Sequence, residues 1–401
     1  MSSTNSIRSL APRTSVDAGR SAVRRVLIAK TARTFCYGFL GILLPLYLAQ
    51  LGLDARGVGL AVTCTLVGSA ALTWGVRRPA ERLGGRAALV GLAALSGIAA
   101  VLMLVTSQPW VVVLAAMLGN VAVGTGETGP FLSIEQVVIA RAAAGPRRTT
   151  LLSVYNLLGY ASGALGAGIV GLLAPRSLFA IFLAAAIVQV AAYAMLPVPP
   201  TVKRATASAS GPSTALIRRL AALFSLDSFA GGFVLQSLIA YYLHERYGLG
   251  LETLGQVFLV AQLVTAASLL IAARAARRFG LLNTMVVSHL VSNVLLIAMA
   301  FAPTAWLAVA FFYARQLLSQ MDVPTRQAYV MAVVEDHERE AAATTTTLWR
   351  TVTQAISPAV TGWVMATISL SAPFVLGGAL KILYDLLLYA TFKDVKPRPD
   401  D

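Results

Sequence analysis

Long, uninterrupted apolar stretches dominate the chain and are separated by short polar or basic connections. A helix needs about 20 residues to cross the hydrocarbon core of a bilayer, and stretches of this length recur from one end of the chain to the other. Membrane barrels would instead alternate apolar and polar residues over about ten positions. The pattern predicts twelve membrane spans, at 26–50, 56–76, 87–106, 109–140, 149–173, 178–196, 222–243, 253–276, 284–302, 304–333, 342–366 and 371–391.

The composition also favours a membrane protein. The chain is 57% hydrophobic and only 12% charged, whereas soluble domains carry about 25% charged residues. Too few polar side chains would remain to cover a surface in water. We therefore expect an all-α integral membrane protein that crosses the inner or plasma membrane of a cell many times.

The net charge of +15 is compatible with nucleic-acid binding or with membrane topology. The positions of the basic residues distinguish the two. They cluster at alternate connections: Arg8, Arg13, Arg20, Arg24 and Arg25; Arg77, Arg78, Arg82 and Arg86; Arg141, Arg147 and Arg148; Lys203, Arg204, Arg218 and Arg219; Arg274, Arg277 and Arg278; Arg339; Lys393, Lys396 and Arg398. The opposite connections contain only Arg56, Arg176 and Arg246. Basic loops stay in the cytoplasm, which predicts two cytoplasmic termini and contact with anionic lipid, and disfavours a nucleic-acid partner.

An internal repeat divides the chain into two halves. Residues 197–220 are predicted to form a polar cytoplasmic linker between six-helix bundles at 24–196 and 221–391, with a disordered tail at 1–23 and a second tail at 392–401. Matches recur 194 positions apart: Phe35, Gly38, Phe39 and Pro130 correspond to Phe229, Gly232, Phe233 and Pro324. Duplicated halves are common in secondary transporters, which bind substrate between them near the midplane.

Two motifs carry a family resemblance. "GVRRPAERLGGR" (75–86) resembles the G-x-x-x-D-R-x-G-R-R signature of the major facilitator superfamily, with Glu81 and Arg82 at the acidic and basic positions. "GYASGALGAG" resembles the antiporter G-x-x-x-G-P-x-x-G-G motif through Gly159 and Gly163, and the equivalent stretch of span eleven has its proline at Pro358. From about residue 24 to 391 the chain resembles this family, which implies two pseudo-symmetric six-helix bundles, usually monomeric, that move a small molecule by alternating access.

Span four contains two carboxylates in an apolar helix, in "GNVAVGTGETGPFLSIEQVVIAR" (119–141). A charge at a helix centre costs roughly 2.5–3.5 kcal/mol and usually faces a wet cavity or a partner. Gly129 and Pro130 predict a bend, because proline removes a backbone hydrogen bond. We expect Glu127 to bind substrate or a coupling proton, with a structural ion pair as the alternative, and Glu135 to form a structural pair near the cytoplasm.

Span ten has the matching set of charges, Arg315, Asp322 and Arg326, around Pro324. Asp322 and Arg326 are four residues apart and are predicted to pair within the helix, either as a structural pair or gate or in contact with substrate. Arg315, together with Arg350 of span eleven, is expected to line the cavity.

Two further charged pairs are predicted. Arg33 of span one and Asp227 of span seven occupy equivalent repeat positions, so an inner gate of opposite charges is expected, with snorkelling to the interface as the alternative. Lys381 and Asp385 are four apart in span twelve and are expected to pair with each other.

The sequence contains no recognisable catalytic or metal-binding motif. The three histidines are scattered, both cysteines fall inside predicted spans, and there is no phosphate-binding loop. We therefore expect no enzyme activity, cofactor or metal. His289 could relay protons, but a hydrogen-bonded helix histidine is the expectation.

The leading hypothesis is proton-coupled export of a drug or metabolite, because the glycine-rich span five favours export and a carboxylate in a membrane cavity can exchange protons near neutral pH. Uptake or exchange of a small organic anion is the main alternative, since Arg315, Arg326 and Arg350 are cations within predicted spans. A membrane sensor or scaffold without transport is a further alternative.

Overall fold

The computed structural model describes residues 11–124, 129–142, 145–197, 214–321, 326 and 339–392. All of the regular structure in these residues is helical, as predicted. The helices are α1 Ala11–Gln50, α2 Ala55–Gly75, α3 Arg77–Val105, α4 Pro109–Leu118, α5 Pro130–Ala142, α6 Gly145–Gly168, α7 Pro175–Ala194, α8 Thr214–Gly232, α9 Gln236–Tyr247, α10 Leu251–Phe279, α11 Leu281–Ala300, α12 Ala305–Ser319, α13 Arg339–Thr367 and α14 Ala372–Phe392.

These helices occupy the twelve predicted spans, because spans four and seven are each broken in two. Eight described helical segments are long and apolar enough to cross a membrane, and α4 and the first ten residues of α5 are shorter apolar helices. In span four the break follows α4 and ends at Gly129, whose φ of +109° suits a residue without a side chain. Pro130 then starts α5, where its missing N–H costs nothing. The predicted bend is therefore a complete interruption.

Span one is longer than predicted. α1 begins at Ala11, inside the segment expected to be a disordered tail, and continues to Gln50. Pro12 lies in the first turn, where proline is tolerated, and no other proline follows before Pro45. The chain therefore has no local signal that would stop the helix at the membrane surface.

The two ends of the molecule differ in charge and in packing. We call the end that carries the arginine clusters the basic end, and the other, at 51–54, 106–108, 169–174, 248–250, 301–304 and 368–371, the Arg-poor end. At the Arg-poor end a single buried apolar cluster is built from both halves, including Phe39, Phe182, Phe258 and Phe312. Towards the basic end each half has its own apolar cluster, around Phe131 in the first half and Phe224 in the second.

Close backbone contacts join the halves towards the Arg-poor end. A Cβ atom added to Gly59 of α2 would collide with the carbonyl oxygen of Pro358 and lie 2.8 Å from Cα of Gly362, both in α13. The backbone N–H of Ala359 donates to Oγ1 of Thr63 at 2.9 Å. Glycine lets two helices approach this closely because it has no side chain.

Exposed polar side chains mark the space between the halves towards the basic end. Ser153 and Asn156 of α6 and Thr347 and Thr351 of α13 are all exposed, and positions 156 and 350 correspond in the internal repeat. Polar groups in lipid are costly, so such residues usually line a water-filled cavity. The separate apolar clusters and these side chains together indicate a cleft that opens at the basic end.

Candidate functional site

A fully buried ion pair ties together four spans of the first half. Nη2 of Arg33 lies 2.6 Å from Oε2 of Glu135, and neither side chain has any exposed surface. The hydroxyl groups of Tyr155 and Tyr193 donate to the same carboxylate at 2.6 and 2.5 Å. The Arg33 guanidinium also lies over the ring of Phe131, 4.2 Å from its centroid. We call Arg33, Glu135, Tyr155 and Tyr193 the N-half ion pair; it joins α1, α5, α6 and α7.

The N-half ion pair satisfies Glu135 completely. Each carboxylate oxygen accepts one tyrosine hydroxyl and one guanidinium nitrogen. A buried charge is costly unless it is paired and hydrogen-bonded, and here both conditions are met. Lys30, one turn before Arg33, places its ammonium 4.3 Å from the centroid of the Tyr155 ring. Gly159 makes room for it, because a Cβ atom there would lie 2.8 Å from Cε of Lys30.

The second half contains a larger buried network around Asp227. This carboxylate accepts from Nζ of Lys381 at 2.6 Å and from Nη1 of Arg326 at 3.2 Å. Nδ1 of His289 lies 2.8 Å from Oδ1 of Asp385, and Nε2 of His289 lies 3.4 Å from Nζ of Lys381. We call Asp227, His289, Arg326, Lys381 and Asp385 the C-half cluster; it joins α8, α11, α14 and residue 326.

Two arginines border the C-half cluster. Nε of Arg350 donates to Oγ of Ser228 at 2.8 Å, and Arg350 also interacts electrostatically with Asp227. Arg315 is buried, and its Nη1 donates to Oε1 of Gln316 at 2.8 Å. Among the residues that the structure describes, none accepts a hydrogen bond from Nε of Arg315. Arg350 is half-buried, whereas Arg315 is buried.

Two predicted pairings are replaced by others, and the third, Asp322–Arg326, stays a prediction. Arg33 and Asp227 do not form the expected gate: Arg33 binds Glu135, and Asp227 binds Lys381 and Arg326. The predicted Lys381–Asp385 pair is also wrong. Asp385 binds His289 and accepts from Asn293 at 3.1 Å, whereas Lys381 crosses to α8. Arg326 pairs with Asp227 on another helix, and its predicted partner Asp322 lies outside the described residues.

The other predicted residues are scattered. Glu127, Asp322 and Pro324 lie outside the described residues. Glu81 and Arg82 are exposed at the basic end and form no ion pair within the described part of the chain. The remaining residues, Gly129, Pro130, Gly159, Gly163 and Pro358, lie at the span-four break or at helix crossings. At Gly163 a Cβ atom would lie 3.5 Å from Nε2 of Gln262 in α10, so span five crosses span eight there.

Sequence reasoning missed the tyrosines of the N-half ion pair and the partners of His289. Nothing local marks Tyr155 or Tyr193, because each reaches Glu135 from a different helix. A signal did exist in α11, where His289 and Asn293 are four residues apart and share a face. The described residues contain no group of three or more histidines, cysteines or acidic residues that could hold a metal ion.

Comparison with known proteins identifies a matching family and a similar yeast protein. Residues 26–318 match the model of the Major Facilitator Superfamily. The chain is 21% identical over 412 residues to Uncharacterized membrane protein YJR124C of Saccharomyces cerevisiae, an alignment that covers 90% of this chain and 92% of the yeast protein.

Two solved structures are similar throughout. The nucleoside transporter NupG superimposes with a TM-score of 0.73 at 14% identity, covering 93% of this chain and 99% of NupG. A D-xylose-proton symporter superimposes with a TM-score of 0.71 at 13% identity, covering 95% of this chain and 97% of the symporter. At these identities the likeness concerns the fold. Because the family model matches most of the chain, residues 26–318, the chain belongs to the Major Facilitator Superfamily.

Proposed function

We propose that this protein is a secondary transporter that moves a small organic molecule across the cell membrane by alternating access. The observation that carries the proposal is the distribution of contacts. Buried ionic groups hold each half together internally, whereas the halves meet through a shared apolar cluster and through close glycine contacts near Gly59 and Gly362. Two bodies that are each held together by buried ion pairs, and that meet through apolar and glycine contacts, can rock against each other around a central site.

We propose that the coupling ion is a proton, that the protein works as a monomer, and that both termini face the cytoplasm in contact with anionic lipid. Buried ionisable residues within membrane spans mark ion or proton pathways, and the C-half cluster contains a histidine between two carboxylates. The fold neighbour that is a D-xylose-proton symporter favours the same coupling ion. One proton moving through 100 mV supplies about 2.3 kcal/mol, enough for a roughly fifty-fold gradient of a neutral solute.

For direction we propose export of a drug or metabolite. The glycines of span five support it, because they form the antiporter-like stretch and pack directly on spans one and eight. At Gly166 a Cβ atom would collide with the carbonyl oxygen of Phe35, and at Gly168 it would lie 2.6 Å from Cδ1 of Leu259.

A crosslink across the Arg-poor end tests alternating access. Thr63→Cys with Ala359→Cys, in a background carrying Cys36→Ala and Cys64→Ala, introduces thiols on two residues whose Oγ1 and backbone N lie 2.9 Å apart. Proteoliposomes would be assayed with radiolabelled uridine, radiolabelled xylose and a lipophilic fluorescent dye under a pH gradient. We expect oxidation to stop flux and reduction to restore it, with each single-cysteine variant unaffected.

Two outcomes would contradict the proposal. Flux that continues through a fully crosslinked protein would exclude rocking about this contact. Folded wild-type protein that moves none of the probes, and no compound from a growth screen of deletion and overproduction strains, would favour the sensor or scaffold alternative.

Transport of a small organic anion is the second candidate. It is favoured by Arg315, a buried guanidinium whose Nε has no acceptor among the described residues. A buried donor without a partner costs about 1–3 kcal/mol, and a carboxylate or phosphate on the substrate would remove that cost.

A further inference from the structure

The two buried ionic groups differ in their capacity to take up a proton. Glu135 in the N-half ion pair is fully buried and surrounded by donors, so a proton added there would displace a hydrogen bond. The C-half cluster instead contains His289, which is the only side-chain type whose ordinary titration falls between about pH 5 and 8. His289 is 3% exposed and lies between α8 and α14.

The contacts of His289 define what each ring nitrogen does. Nδ1 lies 2.8 Å from Oδ1 of Asp385, so it carries the hydrogen and donates when that carboxylate is ionised. Nε2 then has its lone pair directed at Nζ of Lys381, 3.4 Å away, with Oδ1 of Asp227 at 3.7 Å. The ring of Tyr384 packs edge-on against the imidazole, with centroids 5.9 Å apart. The hydrogen on Nδ1 and the lone pair on Nε2 are assigned from these hydrogen-bond partners.

We propose that His289 and Asp385 together form the site that binds the coupling proton, placed inside the second half between α8, α11 and α14. This inference rests on the proposed function and names the residues that carry its coupling. The proton adds to the lone pair of Nε2, and no covalent bond breaks. The proton belongs to the pair, because two strongly interacting groups titrate together.

Charge balance explains how the cluster responds. With both aspartates ionised, Lys381 and Arg326 charged and His289 neutral, the C-half cluster has no net charge, and one bound proton makes it positive. Lys381 then loses the lone pair of Nε2 as an acceptor, and the new Nε2–H competes with it for Asp227. The salt bridge between α14 and α8 at 2.6 Å is therefore the contact that a proton weakens.

The charged groups on neighbouring elements transmit this change to the cleft. α8 contributes Asp227, α14 contributes Lys381 and Asp385, and residue 326 contributes a second cation on Asp227. Arg315 of α12 and Arg350 of α13 interact electrostatically with Asp227. Between Glu252 and Arg274, α10 has no charged residue. A proton on His289 thus changes the surroundings of the carboxylate that also attracts Arg350, the half-buried arginine of the cleft-facing span.

Buried hydroxyl groups lie on α11 before and after the site. Thr284, Ser288 and Ser292 repeat every four residues along α11 and are at most 9% exposed. The hydroxyls of Thr284 and Ser292 have no hydrogen-bond partner within the described ranges, so they are available to water or a proton. His289 lies eight residues after Leu281, about 12 Å from the basic end of the helix. Thr284 and Ser288 therefore place two polar side chains on the stretch of α11 between the basic end and His289.

A direct test measures protonation without a substrate. His244→Asn and His337→Asn leave His289 as the single histidine, because the chain has three. The protein, carrying isotope-labelled histidine, is placed in lipid nanodiscs and its imidazole signals are followed by NMR from about pH 5 to 8. We expect the ring to change from neutral to doubly protonated, and the midpoint to move when Asp385→Asn is added. A signal that keeps one protonation state throughout, or that ignores Asp385→Asn, would overturn the assignment.

A flux measurement separates this inference from the proposed function. In proteoliposomes with the uridine, xylose and dye probes, we expect His289→Gln to transport without stimulation by a pH gradient. His244→Gln is the matched control: its Nδ1 only contacts the carbonyl of Leu249 at 2.9 Å, so stimulation should persist. If wild type ignores the gradient, proton coupling fails; if wild type responds and His289→Gln responds equally, only this site fails. Thermal unfolding in detergent shows whether His289→Gln is folded. If it is not, Asp385→Asn is used in the same flux measurement.

Discussion

The N-half ion pair allows a quantitative test of how the first half is held together. Glu135→Gln removes the negative charge but keeps the shape, and leaves the Arg33 guanidinium buried without its carboxylate. Removing one partner of a buried pair costs about 3–5 kcal/mol. The same cost is expected for Arg33→Met, which leaves the carboxylate with only its two tyrosine donors, at 2.6 and 2.5 Å.

The double variant, Arg33→Met with Glu135→Leu, should cost much less than the sum of the single changes. Replacing both charges by apolar groups is often neutral, although each tyrosine hydroxyl that loses an acceptor costs about 1–3 kcal/mol. The two single changes sum to about 8 kcal/mol and the double change costs about 4 kcal/mol, so a coupling energy of about 4 kcal/mol between the two positions is expected.

Reversible unfolding by SDS in mixed micelles, followed by circular dichroism, measures these free energies. The matched control is Glu81→Gln with Arg82→Met, the same chemistry at two exposed positions without an ion pair among the described residues, where changes within about 0.5 kcal/mol are expected. Single variants of the N-half ion pair that behave like this control, or a double variant whose cost is additive, would refute the reasoning.

Two further changes test the contact between the halves and the second candidate function. Gly59→Ala adds a methyl group 2.8 Å from Cα of Gly362. We expect it to force α2 and α13 apart, to abolish vesicle flux and to destabilise the protein by about 1–3 kcal/mol. Gly75→Ala, on the same helix with nothing within 4 Å of its Cβ position, should transport normally. Arg315→Gln should reduce uptake of a fluorescent organic anion by about tenfold or more, the factor equivalent to 1.4 kcal/mol, and leave uridine flux unchanged; equal transport of both probes would discard the anion candidate.

The number of spans and the division into halves were predictable because lipid imposes a strong local rule. A span must be about 20 residues long and satisfy its own backbone hydrogen bonds, so the apolar runs identify it without knowledge of its neighbours. Gly129 and Pro130 likewise marked the interruption of span four by local chemistry alone. The start of α1 at Ala11 was missed because a helix can extend beyond the membrane without an apolar signal.

The charged residues that the bundle has to accommodate can be identified from the sequence alone, since Arg33, Glu135, Asp227 and Lys381 each fall within an apolar run. Their partners depend on the fold. Arg33 and Glu135 are 102 residues apart, and Asp227 and Lys381 are 154 apart. Local spacing predicted neighbours one turn away, but a buried charge pairs with whichever opposite charge helix packing brings to it. That choice depends on the rotation and crossing of whole helices, which no short stretch of sequence records.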